Sequence, residues 1–197
     1  MKSRKPKIIG IGLIVEDDSD FKTIRILISK YLETESLKFK KAVGKGCGRM
    51  RNKALTYAKN LYTKGCNMVI LVHDLDDRSL KKLRSDLQFF LSKSIAEFNF
   101  ICIPNQEIEA WLLSDEKAIS NVFHLQRPIK PIHHPETVKS PKEYLEHLIY
   151  NHSNKSKRYI NTQHNAKIAE RSDVELIAKK CPSFKELLDF LDNYKYS

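Results

Sequence analysis

Met68 to Val72 reads MVILV, an apolar run with no polar interruption. A strand with one wet face alternates polar and apolar residues, so an unbroken run fits a strand covered on both faces, as in a parallel sheet. Ile8 to Val15 has the same character. Leu37 to Val43 alternates and ends at a glycine-rich turn, and Phe98 to Ile103 is stopped by Pro104. Between these runs the apolar spacing becomes helical. From Ser19, read as an N-cap, Phe21, Ile24, Leu27, Ile28, Tyr31 and Leu32 share one face. Arg49 to Tyr62 turns Ala54, Leu55, Ala58, Leu61 and Tyr62 inward and closes at Gly65. Leu80, Leu83, Leu87, Phe90 and Leu91 mark a third helix, and a further one is expected from Glu107 to Val122. This alternation predicts an α/β fold: an open, parallel, four-stranded sheet flanked by helices.

Past Phe123 the pattern changes, which divides the chain into an α/β domain over 1–123 and a helical C-terminal extension over 124–197, packed on or beside it. Arg127 to Pro141 is rich in proline and histidine and reads as irregular connection. Ser140-Pro-Lys-Glu143, Ser172-x-x-Glu175 and Ser183-x-x-Glu186 each read as a capping box that opens a helix.

With 197 residues, 41% hydrophobic and 30% charged, the chain can form a real core. No apolar run reaches the ~20 residues of a membrane span. The basic opening followed by IIGIGLIV imitates a signal peptide, but it lacks a small-residue cleavage site and runs into Glu16, so a first strand is the better reading. Cys47, Cys66, Cys102 and Cys181 are scattered, without zinc spacing, which predicts a cytoplasmic protein without disulfides. The net charge is +11. Lys38 to Lys64 contains nine cations and no acid, either a solvated lysine-rich surface or a face for polyanions.

Acids stand where the strands end. Glu16-Asp17-Asp18 follows the first run, and Asp74-x-Asp76-Asp77 follows the third. Functional groups of open parallel sheets gather beyond the carboxyl ends of the strands. If the two strands are neighbours, the carboxylates converge and repel, and a hard divalent cation such as Mg²⁺ compensates them. For Asp17, Asp18 and Asp77, capping a helix is an equally good account. Glu16, Asp74 and Asp76 are the candidate metal ligands.

The arrangement of Glu16 with Asp74-x-Asp76 resembles the TOPRIM domain, which has a glutamate after the first strand and D-x-D after the third of a four-stranded parallel sheet. One departure is Asp17, where the usual residue is glycine. The resemblance implies Mg²⁺ (or Mn²⁺) held by Glu16, Asp74 and Asp76, which would be the catalytic acids of phosphodiester chemistry. A narrower resemblance rests on GKGCGRMRN (Gly44–Asn52), IPNQEIEAWLLSD (Ile103–Asp115), SPKEYL (Ser140–Leu145) and KKCPSFKELLDFL (Lys179–Leu191). These stretches are similar to the small TOPRIM-like proteins grouped as domain of unknown function 4276, often encoded beside an ATPase in bacterial defence loci. That implies nucleic acid, and an ATPase encoded alongside, as partners. In E-I-E-A-W, Glu107 and Glu109 would point about 200° apart on one helix, so at most one faces the metal unless the helix starts between them. Glu107, nearer the strand end, is the expected additional ligand. Trp111 and Leu112 read as core.

The glycine-rich turn places Lys45, Arg49, Arg51 and Lys53 beside the presumed metal, where they would bind a nucleic-acid backbone. The function expected is metal-dependent phosphodiester cleavage of nucleic acid, in anti-phage defence with the ATPase. Two other readings stay open. LIVEDDSDF resembles the start of a phosphoacceptor receiver domain, although the route into Pro104-Asn105-Gln106-Glu107 does not fit one. A non-catalytic module that binds nucleic acid or a partner would keep the same ligands.

Overall fold

The chain forms one four-stranded sheet in the order β2-β1-β3-β4, every neighbouring pair parallel. The strands are β1 (Gly10–Val15), β2 (Lys38–Val43), β3 (Met68–Val72) and β4 (Phe98–Cys102). This computed structural model describes residues 7–34 and 37–194, so the basic residues of 1–6 and the side chain of Cys47 lie outside what is described.

Parallel neighbours need long crossovers, and three helices supply them: α1 (Asp18–Tyr31), α2 (Cys47–Thr63) and α3 (Leu80–Leu91). Alternation along the strands sorts the helices to two faces. Ile11, Leu13 and Val15 of β1, with Met68, Ile70 and Val72 of β3, meet Ile24, Leu27 and Ile28 of α1. Ile14, Val69 and Leu71 meet Met50, Ala54, Ala58 and Leu61 of α2 and Leu83, Leu87 and Leu91 of α3. The chain therefore leaves β1 along one face and returns to β3 along the other. The sheet's topological switch point lies between β1 and β3, where open α/β sheets bind their ligands.

The face of α1 is completed by α4 (Glu109–Leu112), α5 (Glu116–Phe123), α6 (Pro141–His152), α7 (Asn161–Arg171), α8 (Val174–Lys180) and α9 (Pro182–Asp192). Leu145, Ile149, Ile168, Ile177, Phe184 and Leu191 share a single core with β1 and β3. Trp111 packs on Phe184 with ring centroids 5.0 Å apart, and its Nε1 donates to Ser183 Oγ at 2.8 Å. Burial of each such ring contributes roughly 1.5–3 kcal/mol, with about 0.5–1.5 kcal/mol more from the pair itself. Cys66, Cys102 and Cys181 are buried free thiols. Among the described residues no helix is long and apolar enough to cross a membrane.

Several helix starts differ from the sequence expectation. Asp17, not Ser19, caps α1, accepting from the amides of Ser19 and Asp20, while Asp20 Oδ2 accepts from the Asp17 amide at 3.1 Å. The helix expected over Glu107–Val122 is broken, because Asp115 accepts from the Ala118 amide at 2.9 Å and starts α5 afresh. Ser140 makes no cap bond; the Glu107 carboxylate accepts from the Lys142 amide at 3.0 Å instead. Asp173 rather than Ser172 caps α8, and Ser183 lies inside α9, where its amide donates to Glu136 Oε1 at 3.1 Å.

The glycine-rich turn divides its labour. A Cβ on Gly44 would fall 2.4 Å from Met50 Cβ and 3.0 Å from Met50 Cα, so this glycine lets α2 start against the end of β2. Gly46, at φ 111°, is the N-cap of α2. Gly48 lies in α2 with open space around it. Gly44→Ala should therefore destabilise the fold by about 1–3 kcal/mol through overpacking, whereas Gly48→Ala should gain roughly 0.5–1 kcal/mol of helix propensity. Urea denaturation of the two variants tests this; equal midpoints would remove the packing role of Gly44.

Candidate functional site

Because Ile14 pairs with Leu71 at the centre of the sheet, the chain leaves β1 and β3 side by side at the same edge. Glu16 follows β1 and is half-buried. The turn after β2 bonds to it directly, with the Gly44 amide on the Val15 carbonyl at 2.9 Å and the Lys45 amide on the Glu16 carbonyl at 3.1 Å. Lys45 thus stands beside the acids, close enough for its charge to reach Asp18. Asp18 itself is exposed and ion-paired with Lys41 at 2.5 Å.

The D-x-D segment is held as a continuation of the sheet. His73, Leu75 and Asp76 donate their amides to the carbonyls of Cys102, Pro104 and Gln106 at 3.0, 3.0 and 3.1 Å. Asp76 and Gln106 both adopt left-handed backbone, at φ 50° and 66°. Asp74 Oδ1 is sealed from solvent without a hydrogen-bond partner. A buried acceptor left unpaired is costly and asks for an explanation. Burial, followed by the charges of Asp20, Glu109, Asp76 and Glu107, pushes the Asp74 carboxyl well above the ordinary range. Asp20 is pushed up to about 7, by burial first and then by Asp17, Glu109 and Glu16.

Seven carboxylates are therefore linked through Asp20 and Asp74 here: Glu16, Asp17, Asp20, Asp74, Asp76, Glu107 and Glu109. Glu109 stands here beside Glu107. Because α4 begins at Glu109 and Glu107 precedes it, the two do not share a helix, and both act on Asp74. Glu109 is buried; its Oε1 lies 3.0 Å from Asn165 Nδ2, a donor, and 3.2 Å from the Tyr159 hydroxyl. Tyr159 also bonds Asn165 Oδ1, and burial beside Glu109 keeps its phenol protonated. Glu107, half-buried, uses Oε2 to cap α6. Asp20 is inconspicuous in the sequence because it follows four other polar residues; the D-x-x-D of a capping box was its signal.

Of the basic residues expected here, Lys45 adjoins the acids, while Arg49 and Lys53 are exposed on α2. Arg51 is half-buried and turned toward the D-x-D side, where its charge acts on His73. Among the described residues no three His, Cys, Asp or Glu side chains are arranged to hold a metal ion. Several of the candidate oxygens have protein partners instead: Asp76 Oδ2 is 3.7 Å from Arg78 Nη2, Glu107 caps α6, and Glu109 takes Asn165. The donors are nonetheless all hard oxygens, and Asp74 Oδ1 is an atom lacking the partner that a cation supplies.

Fold and site together define a parallel α/β protein with a cluster of carboxylates at its switch point and the Lys45 turn beside it. The chain belongs to the family described as Domain of unknown function (DUF4276), whose profile matches residues 15–192. No curated protein and no solved structure matches it.

The carboxyls of Asp20 and Asp74 have folded-state pKa values above the 3.8 of the unfolded chain. The folded state thus holds protons that the unfolded state releases, and stability falls as pH rises through this window. His73 has the opposite sign: burial lowers it, so its contribution is lost only on acidification below 6.5. Without divalent cation, the Tm should drop between about pH 5 and pH 8, with the fall levelling off above about pH 7, where Asp20 is ionised in the folded state as well. Asp74→Asn, an isostere without the charge, should raise the Tm at pH 8 by roughly 2–4 °C per kcal/mol of repulsion relieved. Calorimetry at both pH values checks this; an identical pH slope in the variant would disprove the mutual repulsion.

Proposed function

We propose that this chain cleaves phosphodiester bonds of nucleic acid with the help of Mg²⁺ or Mn²⁺, using a TOPRIM-type set of acids. The observation that carries the reading is Asp74 Oδ1, a sealed acceptor without a partner among four further carboxylates at the switch point. Glu16, Asp74 and Asp76 would hold the cation. Glu107 is the outer additional carboxylate and Glu109 the deeper one. When bound, the cation supplies a Lewis acid for the phosphoryl oxygens and lowers the pKa of water.

The chain's own residues then have separate tasks. Lys45, on the turn bonded to Glu16, neutralises backbone phosphate next to the crevice. Asn165 and Tyr159 fix Glu109 from the side of α7. The Gln106 carbonyl, by holding the Asp76 amide, fixes the second acid of D-x-D. An ATPase partner and a defence role belong to the same reading through the family resemblance. Against a receiver domain, β4 is followed among the described residues by helices, with no fifth strand.

Labelled single- and double-stranded DNA and RNA, incubated with the protein and Mg²⁺ or Mn²⁺, test the proposal. Asp74→Asn should lose cleavage by on the order of 10² or more, the scale of removing one electrostatic stabiliser from an active site. A readout independent of turnover is the Tm, which Mg²⁺ should raise in the wild type and not in the variant. Full activity in Asp74→Asn would sink the assignment. A Tm shift without cleavage of any substrate would leave the non-catalytic module.

A further inference from the structure

On the face opposite α1, α2 and α3 enclose a groove of about 370 Å³, lined by Arg51, Arg78, Ser79, Lys82, Leu83 and Asp86. Three cations face one acid, and neither helix carries an Asp or Glu in its first turn to relieve the charge. Like charges gathered in one groove gain nothing from folding alone.

The groove is also tied to the acidic crevice through a buried histidine. Arg78 Nη1 donates to His73 Nε2 at 3.1 Å, and His73 Nδ1 donates to the Asp74 carbonyl at 2.7 Å. A guanidinium only donates and a carbonyl only accepts, so the ring is neutral with its proton on Nδ1. His73 is 2% exposed, which makes it a rigid anchor. With one N–H on His73 and Asp76 at a long 3.7 Å, the Arg78 fork keeps donors for an anion.

We infer that this groove is a backbone-phosphate subsite, where Arg51, Arg78 and Lys82 grip a nucleic-acid strand whose neighbouring phosphate reaches the carboxylate crevice. The inference rests on the nucleic-acid reading above for the identity of the polyanion. Contacts of this kind position a strand without reading its sequence. Because His73 bonds both Arg78 and the Asp74 backbone, gripping and cleaving groups stay in fixed register.

Fluorescence anisotropy with labelled single- and double-stranded oligonucleotides, over a salt series and with Ca²⁺ replacing Mg²⁺, provides the test. The double variant Arg51→Ala/Lys82→Ala should bind roughly tenfold or more weakly, with a log–log salt slope shallower by about 1.4–1.8, as expected for two lost phosphate contacts. Lys117→Ala/Lys130→Ala removes the same charge from exposed positions outside the groove and should change neither affinity nor slope beyond a small fraction of that. Arg78→Lys keeps the charge but loses the fork, and should fall between wild type and the double variant; the Tm of each variant confirms folding. Unchanged affinity and slope in the double variant and in Arg78→Ala, with wild type binding, would overturn the subsite and leave the nucleic-acid reading standing. If wild type binds none of the oligonucleotides, that reading fails and the subsite falls with it.

Discussion

Ile11, Gly12, Leu13 and Ile14 pair in register with Met68, Val69, Ile70 and Leu71, two strands without a polar side chain between them, and this pairing decides where the acids meet. Each strand is buried on both faces, so sliding either one would pull apolar groups out of two cores at once. The register is correspondingly firm. Glu16 and the D-x-D segment inherit that firmness, since both begin within two residues of the paired strands. Hydrophobic burial thus supplies the free energy that holds mutually repelling carboxylates together.

The sheet was legible because its signal is local. Runs such as MVILV depend on solvent exclusion alone, and their boundaries shift by two residues at most between expectation and structure. Helix starts were less legible. Ser140 carries a sound capping-box sequence, yet the Lys142 amide is satisfied by Glu107, 35 residues earlier in the chain. Ser183 likewise donates its amide to Glu136. In both places a carboxylate from a distant part of the chain displaced the local serine, and no short-range pattern encodes such a competition. The relation of Glu107 to Glu109 was hard to read for a related reason: an angle on a helix has meaning only if both residues lie on it, and α4 begins at Glu109.

The candidate site was half legible. Glu16, Asp74 and Asp76 follow from strand-end position, whereas Asp20 and Glu109 depend on how α1 and α4 sit against the sheet. Arg78 shows the limit most clearly. It is one of many cations in a basic chain, and only its bond to buried His73 distinguishes it. That bond is made across a loop with left-handed backbone at Asp76, a conformation that its sequence does not announce.

Glu109 meets Asn165 and Tyr159, and Ser19 Oγ at the start of α1 donates to the Asn161 carbonyl at 3.1 Å. The helices that follow the sheet therefore furnish polar partners for its deepest acid as well as apolar cover. Recombination that exchanged this part of the chain for another hydrophobic cap could restore the core and still strand a buried carboxylate. Sheet and helices are thereby interdependent in chemistry as well as in packing, because removing the helices takes away the donors of Glu109 together with its apolar cover.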